Sequence, residues 1–282
     1  MKIRVPATSA NLGCGFDSVG FAVNLYLELE ILGASDQWEI SHDLDMDIPQ
    51  DETNLIIATA LKVDPKLTPH KVRMTSDIPL ERGLGSSSSA LVAGIELALA
   101  IGGKQLSTDE KLRLACQLEG HPDNVAPAIL GGVVISTYHD GNLEYVTTDL
   151  PPLGLVAYIP NYKMSTKAMR EVLPSELTHQ EAVLASSIAN VMIASLMKGD
   201  LKVAGRMIEQ DGFHEKYRAQ LVPELEEVRE IARQYDSYAT YLSGAGSTIM
   251  CLIPPTRADE LVKTLSVKSD AKVVKLEVSS RG

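Results

Sequence analysis

Apolar positions along this chain recur with two periods, and the switching between them outlines the elements. In residues 21–31 every second position is apolar (Val23, Leu25, Leu27, Leu29, Ile31), the pattern of a strand with one buried face. Shorter strand patterns occupy residues 2–6, stopped by Pro6, then 71–76, 131–136, 153–159, 249–253 and 272–278, with 38–40 as a short addition. Helical spacing runs through 53–61, beginning near Thr53, and through 91–100, built of small and aliphatic side chains. Ser107 with Glu110 three residues on is an N-cap signal for a helix carrying Leu112, Leu114 and Leu118. Further helical patterns cover 178–197, 203–208, 223–231 and 257–265. Strands and helices interleave in both halves, and the Pro151-Pro152 break predicts two domains, 1–152 and 153–282.

Polar clusters fall between these elements. The most informative is Pro79 to Ala90, in which Gly83-Leu84-Gly85-Ser86-Ser87-Ser88-Ser89 runs into a helix. Glycines let the backbone approach a ligand, and the free N–H groups of a helix start favour an anion. The serine hydroxyls add ligands for phosphate oxygens or magnesium. The loop lacks the lysine of the common P-loop, and no Gly-x-Ser-x-Gly elbow supports a nucleophilic serine. An earlier loop, residues 7–20, holds three glycines with Asn11 and Asp17, which suit either ligand contact or Asx turns. A third cluster spans 119–127. Glu119 there is read as a magnesium carboxylate beside Ser87 or as a solvated helix end, and His121 as a base or as part of a turn. Arg170 lies one helical turn beyond Thr166, and Arg218 follows His214. Both arginines suit bidentate capture of a carboxylate or an ordinary surface role. A second glycine-rich turn, 243–247, contains Gly244.

Composition narrows the partners. A net charge of −11 argues against a general nucleic-acid or membrane-surface binder. With one Trp and three Phe, the core is built from aliphatic residues. Three widely spaced cysteines without Cys-x-x-Cys suit a reducing compartment and no thiolate zinc site. Neither an apolar leader pattern nor a run of about 18 apolar residues appears, which predicts a cytoplasmic protein.

Three clusters, in order, resemble the signature motifs of the GHMP small-molecule kinases: Pro6-Ala-Thr-Ser-Ala-Asn11-Leu-Gly-Cys-Gly-Phe-Asp17, then Pro79-x-x-x-Gly83-Leu84-Gly85 with its four serines and Ala90, then Leu242-Ser-Gly-Ala-Gly-Ser-Thr248. The first motif, taken with 119–127, is similar to the branch whose acceptor is L-homoserine rather than mevalonate or galactose. The resemblance implies an α+β fold of two-layer sandwiches. A ribosomal protein S5 domain 2-like N-terminal domain precedes a ferredoxin-like C-terminal domain, with ATP in the crevice between them. It implies that Pro79 and Gly83 through Ser89 wrap the triphosphate, that Asn54 lies near the adenine, and that Ser87 and Glu119 hold Mg2+. Asn11, Asp17, Asn124, Thr166, Arg170, Arg218 and Gly244 would meet the amino acid, the arginines reading its carboxylate.

The reaction so implied moves the γ-phosphoryl of ATP to the homoserine hydroxyl, a step of threonine biosynthesis. Several relatives use an aspartate base; here Asn124 can orient the hydroxyl but is no effective base at neutral pH. Catalysis is therefore expected from transition-state stabilisation, with Ser87 and Glu119 acting through the metal. Two alternatives remain: a GHMP-type kinase for another small alcohol, and a nonenzymatic S5-like nucleic-acid binder, which the acidic charge opposes. Apolar surface on the C-terminal half is compatible with a homodimer.

Overall fold

The protein is described by a computed structural model covering residues 1–280, with the side chain of Thr166 outside the described set. The first half runs β1 (Lys2–Ala10), β2 (Val19–Ala34), β3 (Glu39–Ser41), α1 (Leu55–Val63), β4 (His70–Ser76), α2 (Ser86–Gly102), α3 (Thr108–Glu119), α4 (Pro122–Leu130), β5 (Val133–His139) and β6 (Asn142–Thr148). The second runs β7 (Gly154–Ile159), α5 (Thr166–Glu171), α6 (His179–Met197), α7 (Leu201–Ile208), α8 (Glu215–Arg218), α9 (Glu224–Arg233), β8 (Ala239–Leu242), β9 (Ile249–Ile253), α10 (Ala258–Lys268) and β10 (Lys272–Leu276).

The long alternating strand organises the first sheet. β1 pairs along β2 from Lys2 opposite Glu30 to Ala10 opposite Gly20. The other edge of β2 is shared by β5, at Val19 to Phe21, and β4, from Leu27 to Ala34. Helix α2 packs against β1, α1, α3 and α4, which explains why its pattern is apolar nearly all round. The second sheet has the order β10-β7-β9-β8 and is antiparallel throughout, the 4-1-3-2 arrangement of a ferredoxin-like βαββαβ unit. One of its faces joins the first half in a common core through Leu155, Ala157, Tyr241 and Met250. The other face packs Val156, Ile249 and Cys251 against Val228 of α9 and Leu261 of α10. The chain end crosses back, with Val278 bridged to Val23 of β2.

Four expectations are corrected. Pro6 does not stop β1: the strand pairs only with β2, and its register shifts between Pro6 and Ala7, which accommodates a residue without an N–H. The helix cap at 53–54 is Asn54, whose side chain accepts from the Ile56 N–H. The helix expected over 91–100 begins at Ser86, so the serines form its first turn. Residues 122–130 form α4 rather than an open turn, with Pro122 at the first helical position, where a missing N–H costs nothing. Helix α6 is long and apolar enough to cross a membrane by length and composition alone, and it buries Ala185, Ile188, Met192 and Leu196 within the protein.

Candidate active site

The glycine–serine loop expected to hold phosphate is shaped by two glycines in the left-handed region, Gly83 at φ 75° and Gly85 at φ 69°. A Cβ on Gly83 would stand 2.2 Å from the Ser243 carbonyl oxygen, and one on Gly85 2.1 Å from Thr8 Oγ1, so neither position accepts a side chain. The first helical bond of α2 runs from the Ser89 N–H to the Gly85 carbonyl. The N–H groups of Ser86, Ser87 and Ser88 precede that ladder. No side chain caps them and the first turn holds no acidic residue. They line a cleft of about 1030 Å³, a helix start open to an anion.

The four serines separate by position. Ser87 is exposed to the cleft. Ser88 is buried and its hydroxyl donates to Glu119. Ser89 is fully buried and donates to the Pro6 carbonyl at 2.8 Å, which removes it from the ligand set. The serine bonded directly to Glu119 is thus Ser88, one helical position beyond Ser87. Leu84 is buried in the core, and its carbonyl accepts from the Thr8 N–H. Pro79 lies outside this cleft and lines a second cavity of about 470 Å³ with Leu44, Leu80 and Arg82. Asn54 lines neither cavity: it is buried, donates to the Pro49 carbonyl at 2.8 Å and caps α1.

Across the cleft stand the other expected residues. Glu119 closes α3, which ends at Gly120 in the left-handed region. Asn124 sits in the first turn of α4 and accepts from the Thr8 hydroxyl at 2.8 Å. Asn11 lines the cleft, but its amide is committed, donating to the Gly244 carbonyl and accepting from the Asp17 N–H, both at 3.1 Å. Asp17 pairs with Arg170 at 3.1 Å. Arg218 is 2% exposed; its Nε donates to the Met169 carbonyl at 2.9 Å, and one terminal nitrogen donates to the Gly244 carbonyl and to His214 Nδ1, each at 3.1 Å. Burial, then the nearby Arg170, bring the Arg218 pKa down to about 10. Thr166 opens α5, and its side chain lies outside the described set.

Two histidines stand beside these residues: His214, to which the sequence assigns no role, and His121, which it presents as a base or as part of a turn. His214 is fully buried; its Nε2 faces the Gly13 carbonyl at 3.0 Å, so that nitrogen carries the proton and Nδ1 is free to accept from Arg218. Burial holds its pKa low, in keeping with a neutral ring. His214 and Arg218 are four residues apart, a helical i,i+4 spacing that was readable in the sequence. His121 Nδ1 lies 2.6 Å from Asp123 Oδ1. Burial pulls the His121 pKa down, but the Asp123 hydrogen bond and charge, with Asp17 and Glu119, outweigh it and raise the value.

A hard divalent cation fits the donor set at the α2 end of the cleft, since Ser87, Ser88 and Glu119 are all oxygen donors beside the anion-binding N–H groups. A second group, Asp17, His121 and Asp123, brings ligand atoms within 4.8 Å of one another, and these are already engaged with Arg170 and each other.

The chain matches the family description GHMP kinases N terminal domain over residues 54–132 and GHMP kinases C terminal over 192–268. It is 52% identical to the homoserine kinase of Lactococcus lactis, covering all of this chain and 97% of that one. It is 53% identical to the homoserine kinase of Streptococcus mutans over 99% of this chain and 95% of the relative. The crystal structure of homoserine kinase from Cytophaga hutchinsonii superposes with a TM-score of 0.87 at 27% identity, covering 100% of this chain and 96% of that one. The S5-like and ferredoxin-like halves, the glycine–serine helix start at their seam and these full-length likenesses converge: the chain belongs to the GHMP kinase family.

Proposed function

We propose that this protein transfers the γ-phosphoryl group of ATP to the side-chain hydroxyl of L-homoserine, giving O-phospho-L-homoserine and ADP. One juxtaposition carries the reading. The Asp17–Arg170 ion pair and the buried Arg218 line the same cleft as the open N-terminus of α2. An amino acid offers the complementary charges, its ammonium for Asp17 and its carboxylate for Arg170 and Arg218. The α2 N–H groups bind phosphate oxygens.

Asn124 holds the acceptor hydroxyl. That oxygen attacks the γ-phosphorus, the bond from phosphorus to the bridging oxygen breaks, and its electron pair leaves with ADP. The hydroxyl proton passes to phosphate or water, since Asn124 is no base. Ser87, Ser88 and Glu119 would hold magnesium, which neutralises phosphate charge when bound. The cavity beside Pro79, where Leu44, Ile78, Leu80 and Ile159 stand among the charged Asp43, Asp45, Asp77, Arg82 and Lys272, takes the nucleoside end in this proposal. On this reading residues 1–152 carry the nucleotide and 153–282 supply the arginines. The protein is cytoplasmic, and the exposed Val183, Leu184 and Val191 of α6 suit a homodimer contact.

The test is ADP release with homoserine, mevalonate, galactose, shikimate and threonine at saturating ATP, for the unaltered chain and for Glu119→Ala. Homoserine is expected to exceed every other acceptor and Glu119→Ala to abolish the difference. Equal rates with another alcohol would replace the substrate assignment.

A further inference from the structure

Asn124 is one hydrogen bond away from a residue that the reaction above leaves without a task. Thr8 lies on β1, opposite Ala22 of β2, and is fully buried. Its hydroxyl donates to Asn124 Oδ1 at 2.8 Å. The amide nitrogen, Nδ2, is 3.5 Å from Asp123 Oδ1, at the long limit of a hydrogen bond. A carboxamide has an accepting side and a donating side. Thr8 occupies the accepting side, which leaves the NH2 group as the polar end available to a ligand in the cleft.

The same pair supports the phosphate loop. A Cβ on Gly85 would stand 2.1 Å from Thr8 Oγ1 and 3.0 Å from Asn124 Oδ1, so the N-cap of α2 rests directly on both side chains. The Thr8 N–H also donates to the Leu84 carbonyl at 3.2 Å. Thr8 therefore touches the loop that would carry the phosphates and the amide that would carry the acceptor, and it faces neither ligand itself.

We propose that Thr8 is a positioning residue, fixing the Asn124 amide with its NH2 toward the acceptor oxygen. The inference rests on the phosphoryl-transfer reading. Asn124 then donates to the homoserine hydroxyl oxygen, whose own proton is directed away from Asn124. A lone pair on that oxygen stays free to attack phosphorus. Without the Thr8 hydroxyl the amide loses the donor that distinguishes its two ends and can turn over.

The experiment compares Thr8→Val, which keeps the shape, with Thr8→Ser, which keeps the hydroxyl, in the full chain. Steady-state ADP release gives kcat and both KM values, and calorimetry gives ATP affinity. Thr8→Val is expected to lower kcat by about tenfold, with KM for ATP and ATP affinity within about twofold. Thr8→Ser is expected to recover most of the rate. Adding Thr8→Val to Asn124→Ala is expected to cost nothing further, because the two act as one unit. Thr8→Ala gives the same comparison if the valine variant does not fold. An unchanged kcat in Thr8→Val, an equal loss in Thr8→Ser, or losses that add with Asn124→Ala would each overturn the proposal. An unaltered chain that binds ATP yet does not phosphorylate homoserine would instead remove the functional reading, and the proposal with it.

Discussion

In the proposed reaction Arg218 receives the substrate carboxylate, and its replacement by methionine is a quantitative test. Arg218 is 2% exposed, and among the described residues its guanidinium is bonded only to neutral groups, the carbonyls of Met169 and Gly244 and the Nδ1 of His214. Burial and Arg170 pull its pKa down to about 10 against the nearby Asp17, Asp211 and Asp123. A buried cation of this kind gains more from an incoming carboxylate than a surface arginine does. Hydrogen bonds to charged groups contribute about 1.5–3 kcal/mol, and truncating one partner of a buried charge pair costs about 2–5 kcal/mol. Arg218→Met is therefore expected to weaken homoserine by about 3 kcal/mol, a rise in KM of about a hundredfold. KM for ATP should stay within about twofold, because the α2 N-terminus is untouched. A coupled ADP assay measures both. The control acceptor is 3-amino-1-propanol, which keeps the ammonium and the hydroxyl and lacks the carboxylate. The preference for homoserine over this amine should collapse in Arg218→Met. Arg218→Lys should not restore it, since one ammonium cannot reach Met169, Gly244, His214 and a carboxylate together. A preference that survives Arg218→Met, or a KM change confined to ATP, would refute the assignment of the carboxylate to this arginine.

Three further outcomes are expected. Ser89→Ala should lower stability by about 1 kcal/mol in urea denaturation while leaving turnover intact, whereas Ser88→Ala should lower turnover at limiting magnesium, because only Ser88 touches Glu119. The His121 pKa is raised above the ordinary histidine value, so the stability from its pairing with Asp123 should be full below that ordinary value and lost as pH rises through the raised pKa; an NMR titration reads the pKa directly, and Asp123→Asn should lower it as burial gains weight against the remaining charges of Asp17 and Glu119. Arg229→Met should cost about 3–5 kcal/mol in denaturant unfolding, because it strands the buried Glu215 carboxylate that Arg229 contacts at 2.6 Å; a loss under about 1 kcal/mol would mean that Glu215 is satisfied without it.

Much of this architecture was legible because periodicity records burial. β2 alternates where one face is wet, and α2 is apolar all round because α1, α3, α4 and β1 enclose it. The glycines of the phosphate loop were legible for a different reason: their φ angles and the close approach of Ser243 and Thr8 exclude any side chain. The four serines could not be ranked from sequence. Identical residues on consecutive helical positions point about 100° apart, so Ser87 faces the cleft, Ser88 meets Glu119 and Ser89 turns to Pro6. Helix α4 was hidden by two prolines that discourage a helix on average, yet Pro122 occupies the one position that tolerates it. The bonds of Asn54 to Pro49 and Ile56 were not legible, because that cap geometry is set by the fold around it. Thr8 left no local trace at all: its partner, Asn124, is 116 residues away.

The absence of a lysine from the phosphate loop has a counterpart in how the loop is anchored. The loop does contain a cation, Arg82, but its guanidinium is spent on three backbone carbonyls, those of Leu80, Pro160 and Asn161, at 3.1, 2.8 and 2.8 Å. The last two belong to the segment after β7, so Arg82 fastens the loop to the second half. The Thr248 N–H donates to the Arg82 carbonyl, the Met164 N–H to the Glu81 carbonyl, and the Ser243 hydroxyl to the Gly83 carbonyl at 2.6 Å. Ser243 in turn meets Ser9, which meets Tyr241, in a buried chain of hydroxyls between β1 and the second sheet. Carbonyls of the loop are thereby drawn toward the second half while the N–H groups of Ser86, Ser87 and Ser88 are left facing the cleft. Division of the backbone's polarity in this way is what the proposed reaction needs for amides to do the work that a lysine does in other phosphate loops. It also makes the site a property of both halves: the second-half residues that hold the loop, Ser243 and Thr248, flank Gly244, whose carbonyl receives Asn11 and Arg218. In the proposed reaction this one turn joins the end of the cleft that takes the phosphates to the end that takes the amino acid.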